Sequence, residues 1–391
     1  MKEYKFLEVS DAYFPVVDGA INVVYNYTKE LNKLTPTSLA TIKASKSSKY
    51  KDKEDFKIFR CTSLYGVENY RLGLPEIDFN FKNQLESEHF DIIHTHSPFT
   101  MGQYAIHLGK KYNIPVVATL HTQYHKDFER ALHGFTPVVK TLLKEIVKVY
   151  KHADSVWTVS EASKKYLRIY GYKGNIEVIR NGTDYVYPDN SLELIEKINK
   201  KYNLYNQENV FIFVGRMAFY KNLKFLCESL KKVKDKNIDF KMLFVGGGFD
   251  LEELKKYAES LNLLNNIIFT DNIKDRALLQ GYYLRADLLL FPSTFDMASI
   301  AQCEAAAHKL PSLVIKNSCS AEGVIDGYNG FISRESRTEY ANKIISICSQ
   351  KEKLKEIGEN AYKTLYRTWD MVAKEVYNKY IEVIENYKKK K

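Results

Sequence analysis

The chain has 391 residues, of which 45% are hydrophobic and 27% are charged. This length exceeds one ordinary core and predicts two domains of roughly 150–200 residues each, and the composition excludes a disordered chain. The sequence does not open with a secretory signal, and no stretch approaches the roughly 18 apolar residues of a membrane span. We therefore expect a cytoplasmic protein. Its five scattered cysteines lack metal-ligand spacing and predict reduced thiols rather than a zinc site.

The formal net charge is +10, and the excess is spread over both halves of the chain. Two interpretations stay open: ordinary solvated lysines, or attraction to an anionic surface. A membrane surface is favoured over nucleic acid, because the sequence contains no nucleic-acid-binding fingerprint.

The first half alternates short apolar runs with helical patterns, which is typical of a parallel sheet wrapped by helices. The predicted strands cover residues 4–9, 56–60, 91–95, 116–120, 155–159 and 176–179, and the clearest predicted helices cover 21–33, 101–112, 137–152 and 161–170. A turn-rich segment then precedes a polar helix over 192–202. We place the domain boundary there, near residues 184–205.

A second series of strands covers residues 210–214, 241–245, 266–270, 287–291 and 311–314, with helices at 223–233, 251–260, 274–285 and from Ser299 onward. Two long helices, about 336–351 and 352–388, end the chain. Two such series in tandem predict an α/β protein of two Rossmann-like domains facing each other across a ligand cleft. The N-terminal domain is expected over 1–190 and the C-terminal domain over 200–370, with a helix at about 370–388 packing back on the first.

Two cations follow the strand at 210–214, namely Arg216 directly after Gly215, and Lys221 five residues later. Ligands of open α/β sheets bind outside the carboxyl ends of the strands. Arginine and lysine there could neutralise a diphosphate leaving group. An ordinary strand-to-helix loop with surface cations is the alternative interpretation.

The strands at 241–245 and 287–291 lead into further candidate site residues. Gly246 opens a triple-glycine turn, in which the backbone can approach a ligand closely, although a tight turn alone would explain it. Asp296 is followed by Glu304 in a helix that begins near Ser299 and is otherwise small and apolar. A helix start offers backbone N–H groups to a phosphate, and an isolated charge inside such a helix needs a partner. Sugar or ribose hydroxyls would serve, and a structural ion pair is the alternative.

Together these motifs resemble family 4 of the retaining glycosyltransferases, which have the GT-B fold of two Rossmann-like domains. The resemblance rests on Gly215-Arg216 with Lys221, the acid pair Asp296-x7-Glu304, the strand Pro311–Val314, the turn Asp326–Phe331 and the segment Val178–Asp184. In the first half it includes the glycine loop Phe14–Gly19, the strand end Asp91–Phe99 with His94 and His96, and the loop Thr119–Tyr124 with His121. The family usually has Glu where this chain has Asp296.

The resemblance implies a hexosyltransferase, EC class 2.4, that moves a hexose, most readily glucose, from a nucleoside-diphosphate sugar, with a UDP-sugar favoured. It implies catalytic roles for His121, Arg216, Lys221 and Asp296. Donor contacts are expected from Gly19, Arg216, Lys221, Gly246, Asp296, Ser299, Ile300 and Glu304, and contacts on the sugar or acceptor side from His96, His121 and Tyr124. No metal is expected, because the sequence contains no Asp-x-Asp motif, and the resemblance implies no cofactor besides the nucleotide-sugar substrate.

The acceptor is expected to be associated with a membrane. The loop from Thr122 to Phe128 resembles that of bacterial diacylglycerol glucosyltransferases. The predicted helix 137–151 carries one helical stripe of basic residues beside an apolar face, a pattern that suits an anionic bilayer: Lys140, Lys144, Lys148 and Lys151. We expect peripheral association with the inner face of the membrane and a diacylglycerol-type acceptor. The alternatives are a transferase of capsule, exopolysaccharide or teichoic-acid assembly, and a catalytically weakened sugar-nucleotide-binding protein.

Overall fold

The computed structural model describes residues 3–16, 18–43, 50–65, 71–132, 134, 136–207 and 209–391. It divides into two compact units, the first formed by Met1–Asn181 with Trp369–Lys391 and the second by Gly182–Thr368. The division therefore falls before the expected boundary at 184–205 and before the expected domain end at residue 190. The polar helix inside the expected boundary segment, Ser191–Tyr202, packs against the helix Arg276–Arg285 and so belongs to the second unit.

Within the described part of the first unit, seven parallel strands form one sheet in the order β3-β2-β1-β6-β7-β8-β9. Its strands are β1 (Phe6–Val9), β2 (Thr37–Ile42), β3 (Ile58–Cys61), β6 (Ile92–Thr95), β7 (Val116–Leu120), β8 (Ser155–Thr158) and β9 (Glu177–Val178). A separate antiparallel hairpin pairs β4 (Ser63–Tyr65) with β5 (Arg71–Gly73). The order reverses between β1 and β6, and ligands of such sheets bind at this switch point.

The helices of the first unit cover its parallel sheet. They are α1 (Gly19–Asn32), α2 (Phe79–Glu86), α3 (Thr100–Tyr112), α4 (Tyr124–Ala131), α5 (Thr136–His152), α6 (Lys164–Ile169) and the C-terminal α14 (Trp369–Lys389). Helix α14 lies against α1. The Tyr380 ring of α14 is fully buried between Phe6 and Trp157, with centroid distances of 4.9 Å and 5.6 Å. The last helix is thus part of the core of the first unit.

In the second unit, six parallel strands among the described residues form a sheet in the order β12-β11-β10-β13-β14-β15. They are β10 (Val210–Val214), β11 (Lys241–Val245), β12 (Ile267–Thr270), β13 (Leu288–Phe291), β14 (Ser312–Ile315) and β15 (Phe331–Ser333). The helices are α7 (Ser191–Tyr202), α8 (Leu223–Lys234), α9 (Leu251–Ser260), α10 (Arg276–Arg285), α11 (Ile300–Ala307), α12 (Arg337–Cys348) and α13 (Leu354–Leu365). This strand order is that of a Rossmann fold, with its switch point between β10 and β13.

Several elements differ from the sequence-based expectations. Strand β2 is buried on both faces but was not predicted, because three of its six residues, Thr37, Ser38 and Thr41, are polar and interrupt any apolar run. The hairpin, α2, α4 and β15 were also not predicted. The expected helix over 352–388 is two helices, α13 and α14, because the chain between them is extended and Thr183 N–H donates to the Arg367 carbonyl at 2.9 Å.

None of the helices in the described part of the chain combines the length and apolarity that a bilayer span needs. The five cysteines are all free thiols, and four of them are buried.

Candidate active site

A cation and an acid meet at the switch point of the second unit. Lys221 ends a short 3₁₀ turn after β10, and Asp296 lies in the loop after the neighbouring strand β13. The Lys221 Nζ lies 2.6 Å from Asp296 Oδ1, and both side chains are mostly buried. The other carboxylate oxygen, Oδ2, is buried and has no hydrogen-bond partner among the described residues. Because buried polar atoms are nearly always bonded, this oxygen is suited to a ligand hydroxyl.

The second acid of the motif has a different partner. Glu304 lies in α11, whose N-terminus is capped by Ser299 Oγ accepting from Gln302 N–H at 3.2 Å, so that Ile300 is the first helical residue. The Tyr283 hydroxyl donates to Glu304 Oε2 at 2.7 Å. Burial raises the pKa of Glu304 to about 7, because a charge is poorly solvated there. The carboxyl group can therefore change its charge near neutral pH.

The glycines after β11 have a structural reason within the second unit. A Cβ on Gly246 would lie 2.3 Å from the Gly215 carbonyl oxygen, and its φ of 132° is unfavourable for other residues. A Cβ on Gly248 would lie 2.2 Å from the Met217 carbonyl oxygen. Glycine is thus required for the loops after β10 and β11 to pack together, and a donor contact at Gly246 stays a prediction. Arg216 follows β10 after Gly215 and is partly buried.

In the first unit, histidines gather at the switch point around a buried carboxylate. Glu8 of β1 is in register with His94 of β6, while His96 and His121 directly follow the ends of β6 and β7. The His96 Nε2 lies 2.6 Å from Glu8 Oε2, and its Nδ1 lies 2.9 Å from His121 Nε2. These bonds connect Glu8 through His96 to His121, the one ring of the three that is partly exposed.

The remaining polar atoms of this cluster are also bonded. The Tyr380 hydroxyl of α14 donates to Glu8 Oε1 at 2.8 Å, and His94 bonds Tyr380 through Nδ1 and Thr119 through Nε2. Burial alone would raise the pKa of Glu8, but His94 and His96 outweigh it and hold the pKa at about 2. Burial and the neighbouring His96 lower the pKa of His94 to about 4. The cluster therefore contains an ionised carboxylate and a neutral His94.

Two residues that were expected to contact the sugar or the acceptor are buried within the first unit, and their ligand contacts stay predictions. His96 is only 2% exposed, and its ring stacks against that of His121 at a centroid distance of 5.1 Å. Tyr124 is the first residue of α4, is 6% exposed and packs against Phe99, because the helix turns its ring into the core of the first unit. Gly19 is exposed at the start of α1.

One group among the described residues, Glu8 with His94 and His96, has the composition of a metal site. Two ligand atoms on a tetrahedral zinc, each about 2.1 Å from the ion, are about 3.4 Å apart. The His96 Nε2 to Glu8 Oε2 distance is 2.6 Å, and His94 has other partners on both ring nitrogens. The geometry is that of a hydrogen-bonded network.

Sequence reasoning missed three residues of these clusters. Glu8 could have been identified from the sequence, because it is a charged residue in an otherwise apolar strand, Phe6–Val9. Tyr283 and Tyr380 could not, because each lies in an ordinary helical pattern and reaches its carboxylate only through the packing of its helix.

Two family models match the chain. The model for glycosyl transferases group 1 matches residues 195–364, and that for glycosyltransferase family 4 matches residues 17–186. Alpha-monoglucosyldiacylglycerol synthase of Acholeplasma laidlawii is 25% identical over 97% of this chain and 98% of its own length. The Streptococcus pneumoniae enzyme of the same name is 26% identical over 79% of this chain and 70% of its own length.

Solved structures show the same fold. A glycosyltransferase from Rickettsia africae matches 99% of this chain and all of its own, with a TM-score of 0.75 and 20% identity. Anabaena HepE in complex with UDP and glucose matches 96% of this chain and 99% of its own, with a TM-score of 0.74 and 19% identity. The chain therefore belongs to the group 1 glycosyltransferases of the GT-B fold and is an enzyme of the hexosyltransferase class.

Proposed function

We propose that this protein transfers glucose from UDP-glucose to a diacylglycerol-type lipid, with retention of the anomeric configuration. The observation that carries the proposal is the Lys221–Asp296 pair at the switch point of the second unit, 2.6 Å apart and mostly buried. It offers a cation for the departing diphosphate and, in Asp296 Oδ2, an unbonded acceptor for a sugar hydroxyl.

The roles proposed for the individual residues are those that the resemblance to the family implies. Arg216 and Lys221 stabilise the negative charge that builds on the leaving diphosphate, and backbone amides near Gly19, Ser299 and Ile300 assist. Asp296 holds the hexose and Glu304 the ribose. We expect His121 to contact the transferred sugar, and we expect chelation of metal ions to leave the activity unchanged.

The lipid acceptor is supported by the name shared by two relatives, alpha-monoglucosyldiacylglycerol synthase. It is also supported by α5, in which every lysine of the predicted stripe is exposed: Lys140, Lys144, Lys148 and Lys151. Part of the apolar face of this helix is buried in the core of the first unit, at Ile146, Val149 and Tyr150, whereas Val138 near its N-terminus is exposed. We expect the lysine stripe to supply most of the attraction of α5 to an anionic membrane.

The test is transfer of label from UDP-[¹⁴C]glucose into lipid, with vesicles of diacylglycerol and phosphatidylglycerol as acceptor. We expect label in the organic extract as an α-glucosyl lipid, identified by the proton coupling at the anomeric carbon. Lys221→Ala should lower the rate about 10²–10³-fold, as removal of one transition-state donor does elsewhere. The matched control is the exposed Lys224 of α8, where alanine should leave the rate unchanged.

A β-linked product would overturn retention, and the absence of labelled lipid would overturn the acceptor. One relative favours a second acceptor class, since its name is UDP-Gal:alpha-D-GlcNAc-diphosphoundecaprenol alpha-1,3-galactosyltransferase and it is 25% identical over 77% of this chain. Label that enters only a polyprenol-diphosphate-linked sugar would identify that class instead.

A further inference from the structure

The hydrogen bonds that leave Glu8 assign protons to particular ring nitrogens. An ionised carboxylate only accepts hydrogen bonds, so its partners Tyr380 O–H and His96 Nε2–H must both donate. A neutral imidazole with its proton on Nε2 has a lone pair on Nδ1. That lone pair faces His121 Nε2 at 2.9 Å, and so His121 donates through Nε2.

This series of hydrogen bonds ends at a ring nitrogen of His121 that can accept a further hydrogen bond. With its proton on Nε2, His121 has a lone pair on Nδ1, and this nitrogen has no hydrogen-bond partner among the described residues. The ring is partly exposed, whereas Glu8 and His96 beneath it are buried. Burial and the nearby His96 lower the pKa of His121 well below its ordinary value, which favours a neutral ring.

We propose that Glu8 is a positioning residue that fixes the tautomer of His121 through His96, so that His121 Nδ1 accepts a hydrogen bond from a hydroxyl of the transferred sugar. The tautomer assignment stands on the first unit alone, while its use for a sugar hydroxyl rests on the proposed function. A carboxylate that selects the tautomer of one histidine is a known device. Here the selection passes through a second imidazole.

The first test reads the tautomers directly, without any substrate. The full-length protein is labelled with ¹⁵N-histidine, and two-bond ¹H–¹⁵N correlation spectra distinguish protonated from unprotonated ring nitrogens. His96→Gln and His121→Gln variants assign the two rings. We expect Nε2 protonated and Nδ1 unprotonated in both. A His121 ring protonated at Nδ1, or a His96 ring protonated at both nitrogens, would overturn the proposal.

The Glu8→Gln substitution should reverse the direction of the hydrogen bonds from residue 8 through His96 to His121, with almost no change in side-chain shape. Because Tyr380 O–H needs an acceptor, the glutamine carbonyl should face Tyr380 and its NH₂ should face His96. His96 would then carry its proton on Nδ1, and His121 would carry its proton on Nδ1 as well. Tyr380→Phe is the matched control, since it removes a bond to Glu8 but keeps the carboxylate, and it should leave both tautomers unchanged. If Glu8→Gln does not fold, the wild-type spectrum still decides the assignment.

The second test measures what the tautomer does for the donor. Monodeoxyfluoro analogues of UDP-glucose replace one hydroxyl at a time with fluorine, which cannot donate a hydrogen bond. For one analogue, we expect wild-type kcat/KM to fall about tenfold or more relative to UDP-glucose, the effect of one lost hydrogen bond. The difference in kcat/KM between this analogue and UDP-glucose should disappear in Glu8→Gln and persist in Tyr380→Phe. Equal discrimination in all three proteins would contradict the role, even with the tautomer confirmed.

Discussion

Glu8, which is buried, and Glu304, which is partly buried, show that neighbouring groups as well as residue type determine the charge of a carboxyl group. Glu8 accepts hydrogen bonds from Tyr380 and His96 and has a pKa of about 2. Glu304 has one donor, Tyr283, and burial raises its pKa to about 7. His94 and His96 stabilise the Glu8 anion, which burial alone would neutralise.

The Glu304 shift predicts how stability depends on pH. Below the ordinary pKa of about 4.5 both the folded and the unfolded state are protonated, whereas between 4.5 and about 7 only the folded state keeps the proton. Stability from this group is therefore lost as pH rises, by at most about 3 kcal/mol. We therefore expect the melting temperature of Glu304→Gln, relative to that of the wild type, to be higher at pH 8 than at pH 5. Thermal unfolding of both proteins at the two pH values measures this difference.

The exposed Glu253 of α9 is the control for this prediction, since Glu253→Gln should shift melting temperature equally at both pH values. Parallel curves for Glu304→Gln and wild type across this range would show that Glu304 is not protonated in the folded enzyme.

At the scale of the element, α5 has two faces with separate tasks. Val139 and Val147 are each 3% exposed, while the lysine stripe defined by Lys140, Lys144, Lys148 and Lys151 is exposed. Lys148 also pairs with Glu145 at 2.7 Å on the surface, and such an exposed pair contributes little to stability. The buried apolar residues therefore stabilise the position of α5, and its exposed lysines are available to bind an anionic surface.

We expect Lys140→Glu with Lys144→Glu to abolish sedimentation with phosphatidylglycerol vesicles at low salt and to leave the melting temperature unchanged. Attraction near an anionic surface is worth about 1 kcal/mol per lysine and is screened by salt, so wild-type binding should fall steeply between about 50 and 200 mM salt. Lys197→Glu with Lys200→Glu on α7 makes the same change of charge in the second unit and should leave binding intact. Equal losses in both variants would indicate a general charge effect.

At the scale of the whole molecule, each of two units has a switch point bearing a cluster of polar residues. In the second unit Lys221 and Asp296 meet between β10 and β13, and in the first Glu8 and His94 meet between β1 and β6. Strand order brings both pairs together, because the residues of each pair lie 75 and 86 positions apart in the chain.

A ligand that binds only the folded protein raises its stability, by about 2.7 kcal/mol when its concentration is a hundred times its Kd. In thermal unfolding with UDP-, GDP- and ADP-sugars, we expect UDP-glucose to give the largest rise in melting temperature. Arg216→Ala should remove most of that rise. A larger effect of a GDP- or ADP-sugar would replace the proposed donor, and a rise unaltered in Arg216→Ala would remove that residue from the site.

The sequence by itself determined the local features of this protein. Apolar runs such as Val210–Val214 marked most of the strands, and the order of Gly215-Arg216, Lys221, Asp296 and Glu304 predicted the family, which the family models confirm. Such patterns are readable because strand and helix periodicity and short motifs are written in neighbouring residues. Polar β2 and the break between α13 and α14 were not predicted, since long-range packing and pairing decide them.

Only the tertiary structure decided which of these residues meet. It paired Asp296 with Lys221 but Glu304 with Tyr283, buried His96 beneath His121, and brought Tyr380 to Glu8 across 372 positions of sequence. The physical reason is that a residue's charge, tautomer and exposure depend on neighbours supplied by other strands and helices. Strand order and helix packing select those neighbours, and no local pattern in the chain encodes them.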